Sequence, residues 1–186
     1  MGDFFQTIVD LDATAEQAPA LAERAVRWLV DEGVVLAEPT EHVPGSGPGH
    51  PPGPHWNRAV TDDPDWEPSG ALAVRTGRTV FTSGADMPGA ALCPRCAWGI
   101  PLHEGAWQRF GDAMETWEKT GAAAVDCPAC AAAVPVPEWA WDEAPLAFGH
   151  LGLEFWNWPE FTDGFRARLA AGPLEGHRTA LLWGQY

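Results

Sequence analysis

Lysine is almost missing from this sequence. Only Lys119 is one, and the 11 lysines and arginines face 26 aspartates and glutamates across 186 residues, for a formal charge of -15 and a pI of about 4.5. So thin a basic complement argues against a general nucleic-acid binder, whose affinity rests on Lys and Arg displacing counterions from phosphates. It disfavours attachment to anionic membrane surfaces for the same reason. Long apolar runs are missing too, since nothing approaches the roughly 18 residues of a membrane helix. The opening Met1-Gly2-Asp3-Phe4-Phe5-Gln6 has neither the basic start nor the apolar stretch of an export signal, and Gln6 stands where a myristoylation signal carries Ser or Thr. These absences point to a cytoplasmic protein. Nucleophile elbow, phosphate loop and His-Glu-x-x-His motif are also lacking, as are heptads.

What is present is enough apolar character to fold. With 46% hydrophobic residues, a chain of this length buries roughly 70% of its unfolded surface, as one domain or one domain carrying a small module. Phe4 to Val9 is β-prone. Thr14-Ala15-Glu16-Gln17 fits a capping box, and a helix follows to about Glu32, with Ala18, Leu21, Ala22, Ala25, Trp28 and Leu29 on one stripe and Gly33 as its stop. Pro19 places the true start near itself. Val34 to Ala37 reads as a short strand.

Residues 39–70 turn to Pro, Gly, His and acid, a 32-residue connection too rich in breakers for regular structure. Beyond it, Thr76-Gly77 reads as the turn of a hairpin between 71–75 and 78–82. Leu146 to Trp158 is the longest extended candidate. By the period of two, Leu151, Leu153 and Phe155 share one face, and Phe148, His150, Glu154, Trp156 and Trp158 the other. Pro159 fits a first helical position before Phe161, Phe165 and Leu169, Gly172-Pro173 ends that helix, and His177 to Trp183 is a last strand.

All four cysteines fall into two pairs, Cys93-Pro94-Arg95-Cys96 and Cys127-Pro128-Ala129-Cys130, with 30 residues between them. A CxxC turn sets two sulfurs on one side of a tight loop, and two such turns facing each other supply the tetrahedral four-sulfur shell that Zn²⁺ prefers. A thioredoxin-like redox site needs only one pair, and disulfides are disfavoured without an export signal. Four cysteines also serve iron–sulfur centres. The C-P-x-C turns resemble those of the zinc-ribbon and zinc-knuckle families over about residues 92–133, although Ala97 and Ala131 stand where those families commonly place Gly. The resemblance implies a structural site closed to substrate. Between the pairs, Trp107, Phe110, Ala113, Met114 and Trp117 recur on one helical face before Gly121, so a zinc ribbon with a helical insert, or a treble-clef-like variant, fits better than a bare ribbon.

Three weaker constellations remain. His42, His50 and His55 with Asp62, Asp63 and Asp65 offer metal ligands, but spacing through Gly and Pro fixes no geometry and a solvated loop explains them. His150 and Glu154 share a strand face and offer an acid/base pair, with Trp156 and Trp158 as a binding wall; the competing explanation is an ordinary second core. Arg75, Arg78 and Arg95 form the only locally basic region, for which solvated edge charges suffice.

The element order predicts an α+β fold, a two-layer sandwich with a mainly antiparallel sheet, of which a ferredoxin-like arrangement is one form. Residues 1–91 and 134–186 together make that domain, and 92–133 form an inserted zinc-ribbon-like module. The expected function is a non-catalytic acidic binding or adaptor protein with a structural zinc site of four cysteines, engaging a basic protein partner. Alternatives are a small enzyme using His150 and Glu154, and a nucleic-acid-binding zinc ribbon. Residues 1–38 carry eight acids and two arginines, net -6, and 39–70 net -4, which places the acidic contact surface there.

Overall fold

Strand β1 (Phe4–Asp10) is buried on both faces, as a central strand must be. At its end the Asp10 carboxylate accepts the amides of Asp12 and Ala13 at 3.0 and 2.9 Å, turning the chain. Thr14 and Gln17 then form the expected reciprocal box at 3.1 and 3.2 Å, and α1 (Ala18–Asp31) starts with Pro19 in its first turn. Its apolar stripe faces inward. The structure, a computed structural model, describes residues 3–43, 47–61, 66–84, 88–142 and 146–185.

After α1 the expected strand at Val34 to Ala37 does not form. Val35 makes one isolated bridge to Pro52, because the connection folds back beside it and offers a single partner. That connection holds β2 (Glu41–His42), paired with β3 (Pro48–Gly49), and a short 3-10 turn at Trp56–Arg58. Asp62, Asp63 and Asp65 lie outside the described residues.

The predicted hairpin is instead one ten-residue strand, β4 (Leu72–Phe81). Gly77 has a φ of +109°, but it sits at a bulge: Thr76 pairs with Leu151 and Thr79 with Gly149, so Gly77 and Arg78 oppose His150 alone. A partner strand long enough to pair along both halves outcompetes the local turn. The chain then leaves the sheet for β5 (Ala90–Leu92), β6 (Gly99–Pro101), α2 (Glu104–Thr120), β7 (Ala124–Asp126), β8 (Ala133–Pro135) and β9 (Ala140–Trp141). It returns as the partner strand β10 (Ala147–Trp156), followed by α3 (Asp163–Ala171) and β11 (Thr179–Gln185). Helix α3 starts four residues after Pro159, because the Thr162 hydroxyl caps the Phe165 amide at 3.1 Å.

The main sheet has the order β11-β1-β10-β4, antiparallel throughout. Counted along the chain, its strands stand fourth, first, third, second, with a helix after the first and the third. That β-α-β-β-α-β pattern is the ferredoxin-like arrangement. Both helices pack on one face, where Leu21, Ala25 and Leu29 meet Ile8, Leu151, Leu153 and Phe155, and Phe165 and Leu169 close the layer. Each such Leu or Phe contributes about 1.5–3 kcal/mol by burial.

A second core forms around α2, whose Phe110, Met114 and Trp117 pack on Val125, Val134 and Trp139 together with Cys93 and Cys127. Gly121 ends the helix at a φ of +85°. Trp117 joins the second core to the main sheet: its ring stands edge-on to Phe148 of β10 at 5.1 Å, and the Arg78 guanidinium lies over it at 5.9 Å. Trp98, by contrast, is exposed.

Candidate metal centre

Each CxxC turn crowns a short two-stranded ladder. In the first, Leu92 pairs with Gly99, the Cys93 amide donates to the Trp98 carbonyl at 2.9 Å, and the Ala97 amide donates to the Cys93 carbonyl at 2.9 Å. The second repeats this bond for bond: Asp126 pairs with Ala133, Cys127 donates to Ala132 at 2.9 Å and Ala131 to Cys127 at 2.8 Å. Closing the loop so tightly forces the residue after each second cysteine into left-handed backbone. Ala97 and Ala131 have φ values of 59° and 55°. For a residue with a Cβ that conformation costs roughly 1–2 kcal/mol.

The two turns, separated in the chain by α2, face each other directly. Cys93 Sγ lies 3.9 Å from Cys130 Sγ, Cys96 Sγ lies 3.7 Å from Cys127 Sγ, and all four sulfurs are within 4.8 Å of one another. A tetrahedron of sulfurs about 2.3 Å from a central Zn²⁺ has edges of about 3.8 Å, so the donor set and its spacing fit one ion. A multi-iron cluster would need room for inorganic sulfide between the thiols, which this spacing does not leave. Cys93 and Cys127 are buried in the second core, and Cys96 and Cys130 face outward. All four positions of a tetrahedral ion would be filled by protein, which makes the site structural.

Four thiols this close cannot all ionise without a cation. Burial opposes the Cys127 thiolate, but the amides of Cys130 and Ala129 donate to it and, with the thiols of Cys93 and Cys130, bring its pKa down to about 7. Cys96 goes the other way. The Trp98 amide favours its thiolate, yet desolvation and the three neighbouring sulfurs push its pKa up to about 12. The Arg95 amide also donates to Cys93 Sγ at 3.4 Å. The Arg95 guanidinium binds Glu138 at 2.8 Å, tying the first turn to the segment after β8.

Among the described residues no other group of three or more His, Cys, Asp or Glu side chains converges on a point where a metal would sit. His50 donates from Nδ1 to the Leu36 carbonyl at 2.9 Å, and the His55 ring rests against Gly33.

His150 and Glu154 are not brought together. Four residues of strand separate them by about 13 Å, and each is engaged separately. His150 Nδ1 donates to the Ala13 carbonyl at 3.1 Å, while Glu154 accepts from Trp156 Nε1 at 2.7 Å and Arg75 at 3.3 Å. The tryptophan wall also divides. Trp156, 2% exposed, packs with Phe5, whereas Trp158, 0% exposed, belongs to the helix-side core. Asn157 between them takes a φ of 55° and redirects the chain, so the alternation of faces stops at the strand end. Each of the three arginines has at least one partner within the chain: Arg75 Glu154, Arg78 the Glu118 carbonyl and Trp117, Arg95 Glu138.

One polar pair went unseen in the sequence. The Asp10 carboxylate is buried and accepts a hydrogen bond from His177 Nδ1 at 2.9 to 3.0 Å, besides those of its two amides. An Asp at a strand end is a turn residue and could have pointed to the Asp10 turn, but no local pattern points to a histidine 167 residues away. No family model matches the chain, and the searches of curated proteins and solved structures found no match either.

Proposed function

We propose that this chain is a non-catalytic binding or adaptor protein, held in shape by one structural zinc ion, that engages a basic protein partner through the acidic side of α1. The observation that carries the reading is the state of its acids. Glu16, Glu23, Asp31 and Glu38 are exposed on α1 and its flanks, and none forms an ion pair among the described residues. Of these, Glu23 lines a groove of about 550 Å³ whose walls also include Ala22, Val26, Val30, Val74 and one cation, Arg27. Unneutralised acids steer a basic partner inward and raise its association rate, and an apolar groove beside them supplies an anchor pocket.

Support also comes from the metal chemistry, because four cysteine ligands leave zinc no position for substrate or reacting water. The test is affinity capture from host lysate with the native chain and with a Glu16→Gln, Glu23→Gln, Asp31→Asn, Glu38→Gln variant, over rising salt. A basic protein held by the native chain at low salt and lost by the variant is the expected result. Identical captures by both chains contradict it.

A further inference from the structure

The face of the main sheet opposite the helices carries a roofed polar cleft. Ile8, Leu151, Leu153 and Phe155 point to the helices, so Thr7, Gly152 and Glu154 point away from them. Thr7 pairs with Glu154 across β1 and β10, and Arg75 stands beside Gly152 on β4. Phe81, at the end of β4, folds over this face. A Cβ on Gly152 would come within 2.3 Å of its ring, so only glycine leaves room for it. The next residues cross the face to the far edge, where Gly84 bridges Gln185 of β11, and Gly184 makes space for Ser83 in the same way. Beneath this strap lies a cavity of about 320 Å³, walled by Thr7, Thr79, Thr82, Arg75 and Glu154, with Phe5 and Phe81 as its apolar side.

The charges in it are only partly used. Arg75 reaches Glu154 Oε1 through a single nitrogen at 3.3 Å, and Trp156 donates to that same oxygen. Oε2 of Glu154 and the other two guanidinium nitrogens of Arg75 have no bonded partner among the described residues. A plain anion entering the cleft would be repelled by Glu154, and a plain cation by Arg75. A ligand carrying both charges satisfies both, its carboxylate on the Arg75 fork and its ammonium on Glu154. The Arg75 side chain is 36% exposed and Glu154 12%, which puts the carboxylate end at the mouth. The volume is at the low end for ligand pockets, suited to one small molecule and not to a peptide.

We infer that the cleft between β1, β4 and β10 binds a small zwitterion, a free α-amino acid. The test titrates the metal-loaded full chain with each standard L-amino acid, and with its N-acetyl and carboxamide forms, by thermal shift and calorimetry. At least one free amino acid should raise the melting temperature by binding the folded state, and blocking either end should weaken binding about tenfold or more. Arg75→Gln and Glu154→Gln should each do the same. The inference is overturned if no free amino acid binds at millimolar concentration, or if blocked and free forms bind equally.

Discussion

Cys96 Sγ and Cys127 Sγ approach to 3.7 Å although the whole of α2 separates them in the chain. The helix makes this possible by packing Phe110 and Trp117 into the core that also holds Cys93 and Cys127, which fixes both turns against one body. The metal site and the second core are therefore one cooperative unit, and each should report on the other.

The left-handed alanines give the first prediction. Ala97→Gly and Ala131→Gly remove a conformational penalty of roughly 1–2 kcal/mol, against about 0.5–1 kcal/mol of added unfolded-state entropy. Each should stabilise the chain by up to about 1 kcal/mol, read by urea unfolding of the metal-loaded protein. A loss of stability at both positions would show that the turns are not under this strain.

Trp117→Ala should cost about 3–5 kcal/mol, the usual range for a buried aromatic, because it opens the joint to Phe148 and Arg78 as well as the second core. In a chain of this size that lowers the melting temperature by roughly 10 °C. A change under about 1 kcal/mol, within the range of surface substitutions, would mean that the joint is not formed.

Hydrogen bonds from the Arg178 side chain, then from its amide, hold the Asp12 carboxyl below the usual carboxylate range, and Lys119 does the same to Glu115. A lowered folded pKa contributes stability that is present above the unfolded value, about 4, and is lost as pH falls through the folded one. Both pairs are exposed, so the effect is small. Asp12→Asn should flatten the acid limb of stability below about pH 4 relative to the native chain. Equal slopes in urea titrations across that range would remove Asp12 from the account.

How far the sequence reached depended on whether its signals were local. The stripe of α1, the Thr14–Gln17 box and the α2 face ending at Gly121 are set by neighbours three or four residues away and the long strand by alternation of period two; the structure has each, with the strand expected over Leu146 to Trp158 ending at Trp156. The metal site was legible because its chemistry demands two matched turns. What escaped was decided at long range. Thr76-Gly77 carries a turn signal that pairing with β10 overrides, and Trp158 leaves its expected face because of one left-handed Asn157. The Asp10–His177 pair and the strap over Gly152 join segments whose proximity exists only once the sheet has formed.

The central claim is that one metal ion holds the four cysteines. Elemental analysis of protein purified without added metal tests it most directly: the account predicts one zinc per chain, reduced in Cys93→Ser and Cys127→Ser together with a large loss of thermal stability, since such sites supply on the order of 10 kcal/mol in small zinc domains. A folded native chain that contains no zinc, and melts at the same temperature with and without a chelator, would contradict it.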